Sequence, residues 1–275
     1  MNLLFLEKKK TIKNLTLMLK KTGGRNLNGK ITSYHKGQGH QRRYRNVDFV
    51  FNNTNVLDLA VIRSFHYDPS RKAYIALICF RDNSLSYLLA TQKMKVGDIV
   101  FFNLNTTIFN DEFLQNIEFK PDNISITNYT NSIKHFELGS FICNFKFMAS
   151  NKVNSSTRAA GTKSIILKKY KTHTLIKLPS NQLRLVSNIC TAVNDQVSFA
   201  DFKFNLLKKA GDSRHLGIKS KVRGVAKNPV DHPHGGGEGK TSGGRCSVTP
   251  WGILTKGYPT VRGKKRKQRL TTKFL

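Results

Sequence analysis

Positive charge and glycine are distributed along this chain in the same way, and that distribution limits what can fold. Residues 1–45 hold 12 basic and 1 acidic side chains, and residues 206–275 hold 17 and 3. The intervening residues 46–205 hold 18 basic and 12 acidic ones. Glycine divides alike, with 17 of the 20 in the two ends. A nearly balanced, core-forming centre is therefore flanked by two basic arms. Such arms bury too little apolar surface to fold alone and are expected to order on a partner. The net charge of +31 identifies that partner as a polyanion, because a compact chain with such an excess repels itself until it is neutralised. Nucleic acid fits best, since releasing its condensed counterions drives binding. A membrane partner is not expected: no apolar run is long enough to span a bilayer, and no long helix pairs a basic face with an apolar one.

The centre reads as β. Val47–Phe51, Leu57–Ile62, Tyr74–Phe80, Tyr87–Ala90 and Ile99–Phe102 are short runs rich in β-branched and aromatic residues, separated by turn clusters such as DPSRK and RDNS. Five strands at this spacing suit a small barrel of the OB type. A second set begins near Ile124. In it Ile165–Tyr170, Thr174–Leu178, Leu183–Val186 and Ile189–Val193 are joined by KTH, PSNQ and SN, the pattern of a meander closing into another small barrel. The expected division is residues 1–45, an arm; 46–118, the first barrel; 119–205, the second; and 206–275, the other arm. One helix is expected near Phe202–Ala210, where FNLLKKAG ends in a glycine. Cys79, Cys143, Cys190 and Cys246 are widely spaced with no Cys-x-x-Cys pair, so they read as small buried residues in a reducing compartment. The opening MNLLFLEKKK places its apolar run ahead of its charges, the reverse of a signal peptide, and is not the Arg- and Ser-rich composition of an imported presequence.

In the first arm, GGRNLNGKITSYHKGQGHQRRYR (residues 23–45) mixes glycine, cations and planar rings. Arg25, Lys30, Lys36, Arg42, Arg43 and Arg45 can neutralise phosphates, with arginine forking two hydrogen bonds onto one group. Tyr34, His35, His40 and Tyr44 can stack on unpaired bases. The alternative for any one of these residues is a solvated basic strand edge.

In the second arm, NPVDHPHGGGEGKTSGG (residues 228–244) strings Asp231, His232, His234 and Glu238 along glycine and proline. Two histidines at i, i+2 could share a metal with Asp231 or Glu238, but a metal site needs a rigid surrounding shell, which the glycines do not offer. An Asp231–His232 proton-transfer pair lacks a neighbouring nucleophile or pocket. What remains is exposed backbone N–H groups on small residues, able to thread between RNA helices. His232, flanked by Asp231 and Pro233, is expected to donate to a phosphate or ribose oxygen, with Asp231 fixing its tautomer.

The stretch GVAKNPVDHPHGGGEGKTSGGRCSVTPWGILTKG (residues 224–257) resembles the C-terminal signature of the second universal protein family of the large ribosomal subunit. GGRNLNGKIT, GHQRRYR, AYIALI and RAAGTKSIILKKY match that family elsewhere, in order, from about Leu15 onward. The resemblance implies an OB-like barrel followed by an SH3-like barrel, with both tails buried in large-subunit rRNA. It also implies a place near the peptidyl transferase centre, a role in subunit association across a bridge to the small subunit, neighbouring ribosomal proteins as partners, and no chemistry of its own. No dedicated cofactor is implied, and any Mg2+ would be shared with the rRNA. Asp231, His232, Pro233, His234, Gly235 to Gly237, Glu238, Gly239, Pro250, Trp251 and Gly252 stand where the family has them. Arg158, Gly161 and Thr162 fall on the family's RSAGT loop, where Ala159 replaces serine. GQG replaces a glycine triplet near Gly37, Cys246 stands where bacterial members often carry histidine, and the N-terminal tail is shorter than the bacterial one. Further RNA contacts are expected at Lys163, Arg214, Arg223, Asn228, His234, Lys240, Arg245, Trp251, Lys256, Arg262, Lys264, Lys265 and Arg266.

Three function classes follow in order: an rRNA-binding structural component, a free OB-type nucleic-acid-binding regulator, and a histidine-metal hydrolase. Low-complexity basic arms suit permanent embedding rather than reversible regulation. Phe (18 residues), Tyr, Ile, Asn and Lys, the AT-rich codon set, crowd the centre. That drift points to a gene translated inside a mitochondrion, with a plastid or an AT-rich bacterium as alternatives.

Overall fold

The computed structural model describes residues 12–49, 58–102, 126–146 and 155–257. The chain divides into two compact units, one of residues 1–19 with 42–206 and one of residues 20–41 with 207–275.

The larger unit is almost wholly β. Its strands are β1 (Thr16–Met18), β2 (Arg43–Arg45), β3 (Asp58–Asp68), β4 (Ala73–Phe80), β5 (Leu85–Leu89), β6 (Ile99–Phe102), β7 (Ile126–Ser132), β8 (Phe141–Cys143), β9 (Phe145–Lys146), β10 (Ser155–Ser156), β11 (Ser164–Lys169), β12 (His173–Lys177), β13 (Leu183–Ser187) and β14 (Thr191–Asn194). β1 pairs with β2, β9 with β10, and the other ten form one sheet in the order β13-β12-β11-β8-β14-β7-β6-β3-β4-β5. The OB-like half, β3 to β6, joins the SH3-like half, β7 to β14, through a parallel ladder between β6 and β7. Every other ladder in the sheet is antiparallel.

β4 shows why the centre folds. AYIALICF is apolar throughout, and its burial is nearly complete on both faces, as a central strand requires. One face meets Ala60, Ile62, Leu88 and Val100 in a core that continues into the SH3-like half through Tyr129, Cys143 and Val193. The other packs Ile75 and Leu77 on Val47 and Tyr87. A second core inside the SH3-like half gathers Ile133, Ile142, Phe145, Ile166, Ile176 and Val186. Each such side chain contributes about 1.5–3 kcal/mol by leaving water.

Several expectations need correction. Residues 47–49 are not a strand; Asp48 N–H makes one bond to the Tyr87 carbonyl at 2.9 Å and the Ser86 hydroxyl donates to its carboxylate, while residues 50 and 51 lie outside those described. Leu57 and Ile124 also lie outside them. The expected helix is displaced. Residues 200–204 form a 3-10 turn, and an α-helix, α1, spans Ala210–His215. The cause is Asp212, whose carboxylate accepts the N–H groups of Lys208 and Lys209 at 3.1 Å each and so caps a helix start there. Gly211 therefore sits in the first turn instead of ending a helix. The cysteines are all free, but only Cys143 and Cys190 are buried; Cys79 is half-buried and Cys246 exposed. Burial pushes the Cys143 thiol well up, with Asp195 adding to the effect, so it stays protonated and inert.

Candidate nucleic-acid interface

The smaller unit has a different physics. Through residue 257 it carries 15 basic and 3 acidic side chains. Val248 is its sole buried hydrophobic side chain among the described residues, whereas Leu27, Tyr34, Val222, Val230, Trp251 and Ile253 are exposed. No ion pair engages its basic groups among the described residues. What holds it is mostly backbone hydrogen bonding. In the N-terminal arm, Arg25 bridges Ile31 across the turn at Asn26–Lys30, closed by Gly29 N–H to Asn26 O at 3.1 Å. The arms then meet each other: Gly37 N–H reaches Gly217 O at 2.7 Å, His40 N–H reaches His215 O at 2.8 Å, and Lys219 N–H reaches His35 O at 2.7 Å.

The glycine-rich stretch, expected to have no fold of its own, folds on itself. Asp231 and His232 N–H groups both donate to Asn228 O, Gly235 N–H to His232 O at 2.9 Å, and Gly236 N–H to Lys227 O at 3.2 Å. Glycine is required here by close approach. A Cβ on Gly224 would lie 2.5 Å from His232 Cε1, and one on Gly235 would lie 2.6 Å from Lys227 O. The glycines thus do what a rigid shell would do: they let the backbone close around the imidazoles.

His232 is buried in this loop, its ring 4.8 Å from that of His234. The backbone N–H of His234 donates to His232 Nδ1 at 3.0 Å, so the proton of the neutral ring sits on Nε2. This replaces the expected role of Asp231, which is exposed. Among the described residues Nε2–H has no acceptor, leaving it as a donor for a ligand. His234 is fixed from the other side, where Val248 N–H donates to its Nε2 at 3.2 Å. The Cys246 carbonyl lies equally near that nitrogen, but a backbone N–H can only donate, so Nε2 accepts. Beyond it, Thr249 N–H to Ile253 O and Gly252 N–H to Thr249 O close a hairpin turn whose tip leaves Trp251 73% exposed.

Desolvation pushes the His232 pKa below its ordinary value, and the charges of His234 and Lys227 push the same way. The folded ring therefore refuses a proton that the unfolded ring accepts. Loop stability is constant above the ordinary histidine pKa and falls as pH drops below it. A 15N-detected titration should find His232 neutral at pH 7 with its proton on Nε2; an Nδ1–H signal would reverse the assignment.

The structure distributes the other candidates as follows. Arg25, Lys30, Lys36, His40, Arg43, Arg214, Arg223, Asn228, Lys240, Arg245 and Lys256 are exposed, and Arg42, Arg45 and Lys163 half-buried. Lys163 lies over the Phe141 ring at 3.6 Å. Arg158 is turned inward, its Nε on Asn144 Oδ1 at 3.0 Å and its guanidinium over Phe49 at 3.7 Å. Burial, then the nearby Arg71, lowers its pKa. Arg262, Lys264, Lys265 and Arg266 lie outside the described residues. Sequence reasoning missed Arg71 and Lys227. Arg71 pairs with the buried Asp68 and lies over Tyr44 and Phe49; Lys227 lies over Tyr34 at 5.2 Å. The DPSRK turn, read only as punctuation, was the available signal for Arg71.

No three His, Cys, Asp or Glu side chains converge as metal ligands would among the described residues, and no helix there is long and apolar enough to cross a membrane. A β unit with ordinary apolar cores, in one chain with a cationic unit held mostly by hydrogen bonds to main-chain groups, defines a protein built to bind a polyanion such as RNA. Family models extend the point: residues 12–102 match Ribosomal Proteins L2, RNA binding N-terminal domain, and residues 127–252 match Ribosomal Proteins L2, C-terminal domain. The Large ribosomal subunit protein uL2 of Rickettsia peacockii is 43% identical over 268 residues, 98% of this chain and 89% of that one. Its counterpart from Wolbachia pipientis wMel is 42% identical over 261 residues, 94% and 88% of the two chains. The chain belongs to the ribosomal protein L2 family.

Proposed function

We propose that this chain is a structural constituent of the large ribosomal subunit that binds its rRNA and performs no chemistry. The observation that carries this reading is the smaller unit, which through residue 257 has 15 basic side chains against 3 acidic ones and, among the described residues, a single buried hydrophobic residue. A fold held that way is completed by a polyanion. The similarity to proteins named for the large subunit supplies the particular polyanion.

Within that reading, residues 228–257 lie against rRNA near the peptidyl transferase centre, and the β unit contributes to joining the small subunit. The mitochondrion is the proposed compartment on the AT-rich composition of the centre; the relatives are bacterial, which makes a bacterial cytoplasm the competing site. Finding the gene on an organellar or a bacterial chromosome decides this.

His232 separates a contact from a catalyst. A donor role for Nε2–H means that His232→Gln, which keeps a planar donor, retains most function. His232→Ala, which keeps none, impairs subunit assembly or joining about tenfold, the usual cost of one charge-assisted hydrogen bond. Gln particles of full composition that are inactive in peptide-bond formation would overturn the non-enzymatic reading.

A further inference from the structure

The SH3-like half turns an apolar face outward at the open end of the sheet. Ile166 and Ile176, opposite each other on β11 and β12, are fully buried, as is Val186 on β13. Their neighbours along each strand therefore point the other way. On that outward face lie Ile165 and Leu167 of β11, Leu175 and Lys177 of β12, and Leu183, Leu185 and Ser187 of β13. Leu175 sits directly opposite Leu185, and the bulge between Ile166 and Lys168 adds Leu167 to the same row. Leu167 is 44% exposed and Leu185 37%. A sheet face in contact with water alone would alternate polar residues at these positions.

Two further observations say what covers this face. β13 is the last strand of the ten-stranded sheet, with β12 on one side and no strand on the other among the described residues. An edge carrying exposed leucines is an aggregation hazard unless something pairs with it or covers it. Charge narrows the choice. Between Glu137 and Asp195 the chain has no acidic residue and nine basic ones, among them Lys168 and Lys177 on the rows of leucines. RNA would satisfy those lysines but would set phosphates and riboses against five aliphatic side chains, which offer neither hydrogen bonds nor a stacking plane. A polypeptide with alternating apolar and acidic side chains answers both features at once.

We propose that the outward face of β11, β12 and β13 is a docking surface for a neighbouring protein of the subunit, which lays an extended apolar and acidic segment along β13. This rests on the ribosomal reading given above. The surface lies on a different unit from the glycine-rich loop and involves none of its residues.

A density map of intact large subunits from the source organism, together with subunits carrying Leu175→Lys and Leu185→Lys, tests it. The map should show polypeptide over Leu175 and Leu185, with carboxylates within reach of Lys168 or Lys177. Quantitative mass spectrometry of the variant subunits should show this chain at full occupancy and that one neighbour reduced at least fivefold. Because both leucines face outward, full occupancy of the variant chain also shows that it folds. Leu185→Ser, which adds no charge, should give the same loss to a lesser degree. Ribosomal RNA or bare solvent over the leucines overturns the proposal, as does a variant subunit of unchanged composition; either result leaves the ribosomal reading intact. Absence of the chain from large subunits overturns both.

Discussion

Binding of this chain to large-subunit rRNA is expected to fall by about 10⁴ to 10⁵ between 50 and 200 mM salt. The smaller unit, through residue 257, has 15 basic side chains against 3 acidic ones, and they enter no ion pair among the described residues. If roughly ten of them meet phosphates, the slope of log K against log salt is about −7 on single strands and −9 on duplex. The β unit adds little to this, because its charges are closer to balance and part of its guanidinium complement is already engaged. Arg71 is paired to Asp68, and Arg158 is bonded to Asn144. Filter binding over that salt range reads the slope directly. A slope near −2 would mean that the arms are solvated in the complex, and the electrostatic account of the smaller unit would fail with it.

The strands that could be read in advance are those whose neighbours all ask for the same thing. β4, β6, β11 and β12 are apolar runs between turn clusters, and each lies within a residue or two of its expected bounds. β7 escaped because ITNYTNS carries a polar group at every position after the first. It is held by pairing on both sides and by Tyr129, whose buried hydroxyl donates to Leu89 O at 3.0 Å, none of which leaves a local pattern. β3 was read as half its length, since past Ile62 the chain runs through RSFHYD. There a bulge and a buried polar set, His66 between Ser64 and Tyr87, replace the alternation that marks a strand.

The site was legible in chemistry and illegible in geometry. Charge and glycine marked the right segments, and the run of motifs marked the family. Neither could say that the two arms pair with each other, because that pairing joins residues far apart in the chain and is carried by backbone atoms that every sequence possesses. Nor could it say that His234 N–H holds His232 Nδ1, a contact made by a main-chain group two residues away rather than by the carboxylate beside it. At Gly224 and Gly235 glycine acts as space for the loop's own atoms, a close approach that only the folded loop reveals.

Of the glycines where the two arms pair, Gly39 is the one at which an added side chain is expected to have the largest effect. It stands at φ +60, and a Cβ there would lie 2.5 Å from Gly217 N and 2.6 Å from His215 O, both backbone atoms that no rotamer change can move aside. Gly39→Ala therefore adds left-handed strain of about 1–2 kcal/mol. It also forces apart the segments joined by Gly37 to Gly217, His40 to His215 and Lys219 to His35. Three bonds at about 0.5–1.5 kcal/mol each bring the total to roughly 2.5–6.5 kcal/mol, a loss of about 10² to 10⁵ in rRNA affinity if the paired arms are the form that binds. Gly29 supplies the control. It has φ +74 but nothing within 4 Å of where an added methyl would stand, so Gly29→Ala incurs the strain alone and should cost no more than about thirtyfold. Hydrogen exchange should show the Gly37, His40 and Lys219 amides unprotected in Gly39→Ala and protected in Gly29→Ala. Equal affinities for the two variants would mean that strain at a positive φ is all that glycine spares this region, and that the pairing of the arms contributes nothing to recognition.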